Sequence, residues 1–225
     1  GEGGYVQVTR TTGDGPVLLV LPLDDYPSPP GSQQASARGW RGFEGWRPLK
    51  WEDRANYDWM HEMLYEIVIH SRAYASNEWR GATPWAPPTS HTLPPGASVT
   101  YGVRLRLARD VEGVNEALLA AQMPVAVPLP AATLHMDMTD AQLHLLTPAS
   151  LLLVGKRAEP SGCLDIGQIP ISRPAGHGHD PATSLQSLPL RPLTAGRCRL
   201  ALSFKRAEGG GELTQYVHYH VLEPA

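Results

Sequence analysis

Apolar and polar residues alternate with a period of two along much of this chain, the spacing of half-buried β-strands. Residues 5–11 run Tyr-Val-Gln-Val-Thr-Arg-Thr, and Gly13-Asp14-Gly15-Pro16 supplies a turn. Val17–Leu23 follows as an almost unbroken apolar run, which predicts a strand buried on both faces and paired with the first in a hairpin. The most regular alternation spans 98–107. It places Val99, Tyr101, Val103, Leu105 and Leu107 on one face and Thr100, Arg104 and Arg106 on the other. Further strands are predicted over 125–129, 133–138, 142–146, 151–154, 163–171, 197–206 and 213–222. A helical period occurs over 110–123, where Asp110 can cap, Val114, Ala117, Leu118 and Ala121 form a stripe, and Pro124 ends the run. Residues 57–70 fit either period, and the β-branched Ile67-Val68-Ile69 favours a strand for that end. Two long Pro- and Gly-rich segments, 27–42 and 172–196, are expected as loops. The predicted fold is mainly β with one amphipathic helix, and the texture changes near 124, so domains are expected at 1–124 and 125–225.

Composition narrows the function classes. The 225 residues hold 22 Gly and 22 Pro, only 18% are charged, and the net charge is −3. That mixture suits a turn-rich β protein and offers no basic field for nucleic acid or an anionic membrane. No stretch is apolar enough for a transmembrane helix, and residues 1–5 lack the features of a signal peptide. Neither a phosphate-binding Gly-rich loop nor a nucleophile elbow is present.

All six tryptophans, Trp40, Trp46, Trp51, Trp59, Trp79 and Trp85, fall in one stretch. Asn77-Glu78-Trp79-Arg80 and Trp85 bring flat rings together with amide, carboxylate and guanidinium groups. Sugars are held by such sets, with C–H bonds on the ring face and hydroxyls on the polar groups. Trp79, Trp85, Glu78, Asn77, Arg80 and Trp59 are therefore the candidate substrate-binding residues. The same rings would also serve as core filler under a loop. Glycoside hydrolysis needs two carboxyl groups roughly 5–9.5 Å apart. Asp24, Asp25, Glu44, Asp58, Glu62 and Glu78 are available, but no spacing among them marks a pair, and no catalytic residue is assigned. His218 and His220 would share a strand face, and His177 and His179 sit in a Gly-rich turn. Two ligands do not make a metal site, so no metal or cofactor is expected. Cys163 and Cys198 are equally readable as a disulfide or as two buried thiols.

Several stretches together resemble a known family. They are Gly4–Arg10 with Val17–Pro22, Phe43-Glu44-Gly45-Trp46-Arg47-Pro48-Leu49, the run from His70 to Trp79, Pro84-Trp85-Ala86-Pro87-Pro88-Thr89-Ser90, and the run from Leu93 to Gly102. The chain is similar there to uncharacterised fungal and bacterial six-hairpin-glycosidase-like proteins. The resemblance implies part of a β-supersandwich over 1–124 and an Ig-like linking sandwich over 125–225, followed elsewhere by an (α/α)6 barrel that carries catalysis. It also implies a secreted protein whose partners are a carbohydrate and the remaining segments of the same enzyme. The functional expectation is the non-catalytic N-terminal portion of a glycoside hydrolase. The alternative is a stand-alone carbohydrate-binding or adhesion module without enzymatic activity.

Overall fold

The computed structural model describes residues 4–23, 35–36, 43–48, 65–168, 173–174, 183–206 and 212–224. In chain order the strands are β1 (Val6–Val8), β2 (Val17–Leu23), β3 (Ala35–Ser36), β4 (Gly45–Pro48), β5 (Tyr65–Val68), β6 (Val99–Thr100) and β7 (Gly102–Ala108). They continue as β8 (Val125–Leu129), β9 (Thr133–His135), β10 (Gln142–Pro148), β11 (Leu151–Glu159), β12 (Leu164–Ile166), β13 (Arg173–Pro174), β14 (Thr183–Pro192), β15 (Gly196–Arg206) and β16 (Glu212–Leu222). Two short helices, α1 (Arg72–Ser76) and α2 (Val114–Ala120), complete a mainly β fold. Two compact units result: residues 1–21 with 103–225, and residues 22–102. These cuts do not coincide with the boundary expected at 124.

The larger unit contains a two-sheet sandwich. One sheet has the order β12-β14-β10-β8, with β13 also on β14; the other has the order β11-β15-β16-β9. Alternation turns Leu143, Leu145, Leu188 and Leu190 of the first inward against Leu200, Leu202, Phe204, Val217 and Tyr219 of the second. A disulfide between Cys163 and Cys198, with Cα atoms 5.8 Å apart, lies inside that core. Of the two readings open from sequence, the bond is the one found. The hairpin of β15 and β16 pairs from Gly196 with Val221 to Lys205 with Glu212, close to the predicted limits.

One of these strands was hidden in the sequence. β14 occupies the middle of the segment expected as a loop, and it pairs with β10 from Gln142 opposite Pro189 to Pro148 opposite Thr183. Prolines argue against a central strand because they cannot donate to the ladder. Here Pro189 faces the first residue of β10, where that ladder ends, and its carbonyl accepts from Gly167 N at 2.9 Å. Thr183, Gln186, Leu188, Leu190 and Pro192 turn into the protein.

The same unit holds the three-stranded sheet β1-β2-β7. β1 pairs with β2 as a hairpin, Val6 opposite Val20 and Val8 opposite Leu18. Val17, Leu19 and Leu21 are buried with Ala108, with Val114, Leu118 and Leu119 of α2, and with Val125 and Leu146. β2 is therefore fully buried on one face, while on the other Leu18 and Val20 are half-buried and Pro22 is buried. α2 is shorter than the predicted 110–123: Gly113 is its N-cap, and Asp110 Oδ1 accepts from Gly113 N at 2.8 Å one turn earlier. The regular alternation of 98–107 is real but faces outward. Arg104 reaches under the sheet to the Ala121 carbonyl at 3.4 Å and Ala108 enters the core, while Leu105 and Leu107 are 61% and 70% exposed.

In the smaller unit β4 pairs antiparallel with β5, Gly45 opposite Val68 and Pro48 opposite Tyr65, and β3 pairs parallel with β6. Residues 66–68 are thus a strand, as their β-branched texture suggests; residues 57–64 lie outside the described residues.

Candidate functional site

The smaller unit carries the candidate site on a closed loop after β5. α1 is one turn long because Asn77 interrupts it: the Asn77 Nδ2 donates to Ala73 O at 2.8 Å, competing with the helical ladder. The backbone then coils on itself, with Trp79 N on Tyr74 O at 2.9 Å, Arg80 N on Asn77 O at 3.1 Å and Ala82 N on Trp79 O at 2.9 Å. Gly81 takes a φ of +88°, open to glycine without strain. Pro84, Pro87 and Pro88 stiffen the return. Arg72 N donates to Thr89 O at 3.0 Å and closes the loop at its neck.

Beneath the neck sits Glu44, only 8% exposed. A carboxylate this buried needs donors, since an unsatisfied charge there would be prohibitively costly. Its Oε2 accepts from Ser71 N and Ser71 Oγ, both at 2.7 Å, and from Thr89 N at 3.0 Å; its Oε1 accepts a short bond from Thr89 Oγ1. The Glu44 backbone N is itself fixed on Val68 O at 2.8 Å. One residue therefore ties β5, through its backbone, to the start of α1 and the far end of the loop, through its side chain. The string continues outward, from Thr89 Oγ1 to His70 Nδ1 at 2.7 Å and from His70 Nε2 to the Tyr101 hydroxyl at 2.6 Å. Tyr101 stands edge-on to His70 at 5.4 Å, and His91 stacks on His70 at 6.2 Å. Burial pushes the Tyr101 phenol above its ordinary range, which holds it protonated.

The loop brings most of the sequence candidates into one place. Asn77, Glu78 and Arg80 are exposed on its first turn, and Trp85, on the return, is 46% exposed. The neighbouring Ala86 is buried and anchors that segment. Trp79 plays a different part. It stacks on Tyr74 at 5.2 Å and covers Gly45, where an added Cβ would stand 3.4 Å from the indole. Trp79 therefore holds the loop to β4, and Trp85 is the more exposed of the two rings. Trp59, Trp40 and Trp51 lie outside the described residues, as do His177 and His179. Cys163 and Cys198 belong to the sandwich, not to this site.

Glu44 is one of six unassigned carboxylates in sequence, and Ser71, His70, Thr89 and Tyr101 lie in stretches that carry the resemblance but are marked by no functional motif. Their contacts span 27, 45, 19 and 31 residues, so no local spacing could announce them.

The outer face of the second sandwich sheet holds another polar group. Arg157 and Arg199 both pair with Glu159; burial pushes that carboxyl up, but the two guanidinium groups outweigh it and hold it below its usual range. Arg199 also lies over the Tyr216 ring at 5.1 Å. His218, opposite Arg199, is 5% exposed; burial first, then Arg197, Arg199 and His220, push its imidazole down to about 4. Among the described residues no three of His, Cys, Asp and Glu gather as a metal site.

The whole chain, residues 1–225, matches the model of a family described as a family of unknown function (DUF5695), and the chain belongs to that family. No curated protein and no solved structure matches it.

Proposed function

We propose that this chain is the non-catalytic β-rich portion of a carbohydrate-active enzyme, a glycoside hydrolase acting on a polysaccharide or oligosaccharide, and that its loop 72–89 is a sugar-contacting platform. The observation that carries this is the loop itself: closed at its neck, pinned by a buried carboxylate, and presenting the exposed Trp85 ring on the same loop as Asn77, Glu78 and Arg80. Such a loop is already ordered, so binding does not have to meet the entropy of fixing it. The resemblance to six-hairpin-glycosidase-like proteins runs through both sides of this loop, and in that architecture the hydrolytic carboxylates lie in a barrel outside these residues.

The exposed apolar face of the β1-β2-β7 sheet supports a further segment of the same enzyme as partner. A buried disulfide is compatible with the extracellular setting. A stand-alone binding module is the second reading. The closed core of the 125–222 sandwich favours it, and the exposed Leu105 and Leu107 speak against it.

Electrophoresis through native gels cast with soluble polysaccharides of plant, fungal and bacterial origin tests the platform. Retardation by one or more of them is the expected result. Migration unchanged in every gel contradicts a sugar-binding loop.

A further inference from the structure

The platform reading makes no use of the string Glu44, Thr89, His70, Tyr101 beyond its inner end. Pinning the loop requires only Glu44, Ser71 and Thr89, yet the hydrogen bonds run on for two more side chains to a partly buried phenol. Donor counting sets the direction. An ionised carboxylate only accepts, so the single hydroxyl hydrogen of Thr89 goes to Glu44. The Thr89 oxygen then accepts from His70 Nδ1–H, which fixes the tautomer and leaves Nε2 as an acceptor. Tyr101 O–H is the donor at 2.6 Å from that nitrogen. An oxygen whose proton points at a base, the base oriented by a hydroxyl, and the hydroxyl by a buried carboxylate, is the arrangement that readies an oxygen for proton transfer.

We propose that Tyr101 and His70 form a proton-transfer site, with Tyr101 as the group that meets a hydroxylated substrate and His70 as the base behind it. In the step, a substrate O–H bond breaks and its proton passes to the Tyr101 oxygen while the phenol proton passes to His70 Nε2. The electron pair of the broken bond stays on the substrate oxygen. The imidazolium is held through Thr89 to the Glu44 carboxylate, and the reverse transfer restores the resting state. Glu44 and Thr89 are positioning residues. This goes beyond the platform reading, which leaves chemistry to segments outside the chain, and it stands whether or not Trp85 binds sugar.

An arylsulfonyl fluoride tests it on the full chain without a known substrate. Such a reagent modifies a tyrosine when a neighbouring base takes the phenol proton: the O–S bond forms, the S–F bond breaks, the proton stays on imidazole and fluoride leaves. Peptide mapping by mass spectrometry should find Tyr101 labelled about a hundredfold faster than the similarly exposed Tyr5 and Tyr74, the low end of what a positioned base contributes. His70→Gln and Thr89→Val should bring Tyr101 down to their level, and Thr89→Ser, which keeps the hydroxyl, should preserve the difference. Circular dichroism identifies any variant that fails to fold, and the comparison among tyrosines in the unmutated chain then decides. Labelling spread evenly over the three tyrosines, or unchanged at Tyr101 in a folded His70→Gln chain, overturns the proposal.

Discussion

The sandwich of residues 125–222 and the three-stranded sheet β1-β2-β7 are built from the same alternating pattern, but they use it differently. In the sandwich, each sheet covers the apolar face of the other, and Leu143, Leu188, Leu200, Leu202 and Phe204 are fully enclosed. In the three-stranded sheet one face is covered by α2 and the edge of the sandwich; on the other, among the described residues, Leu18 and Val20 are half-buried while Val8, Val103, Leu105 and Leu107 are exposed. Alternation specifies that two faces exist. What covers each face depends on contacts far away in sequence, and here, among the described residues, the more apolar face of β7 is the exposed one.

The two regions should respond differently to substitution, most strongly in the sandwich core. Leu200→Ala or Leu202→Ala, at the centre of the sandwich, should cost about 2–5 kcal/mol in urea unfolding, because transfer energy is lost and a cavity remains. Replacing both Cys163 and Cys198 by Ala should cost about 3–4 kcal/mol, as expected for a bond closing a sequence separation of 35, and reductant should then have no further effect on the midpoint.

His218 gives the sandwich an acid-sensitive point. Its imidazole titrates at about 4 in the folded chain against 6.5 without these surroundings, so between those values the unfolded chain binds the extra proton. Stability from this group is full above pH 6.5, falls as pH drops, and reaches a loss of about 3 kcal/mol below pH 4. Unfolding midpoints measured from pH 7 to 4 should show that loss in the unmutated chain, and His218→Gln should remove it. The smallest effect lies on the open face. Leu105→Asn with Leu107→Asn should change stability by less than about 0.5 kcal/mol, yet reduce the fluorescence of a bound hydrophobic dye. A loss as large as that at Leu200 would mean that the two faces are equivalent after all.

Much of the fold was legible because its signals are local. The β15–β16 hairpin, the β1–β2 pairing and the stripe of α2 each follow from residues within a few positions of one another. β14 was not, because Pro189 and Pro192 speak locally against a strand, and only distant partners make them tolerable, Pro189 at the end of the β10 ladder and Pro192 opposite Leu164 of β12. The outward direction of Leu105 and Leu107 was not legible either, since period two is the same whichever face is buried. At the site, Asn77, Glu78, Trp79, Arg80 and Trp85 could be found because the loop is contiguous. The Glu44 node could not, because it joins β4, α1 and the loop end across long separations. The two tryptophans also looked interchangeable in sequence; packing against Tyr74 and Gly45 separates Trp79 from Trp85.

On the function proposed above, the pinned loop is a platform on which Trp85 meets sugar and Trp79 holds the structure. The direct measurement pairs a melting curve with polysaccharide affinity for Trp85→Ala and Trp79→Ala. The account predicts that Trp85→Ala loses retardation in the gel while its Tm stays within a degree or so, about the effect of a surface substitution, and that Trp79→Ala lowers both. Undiminished retardation of a folded Trp85→Ala chain would contradict it.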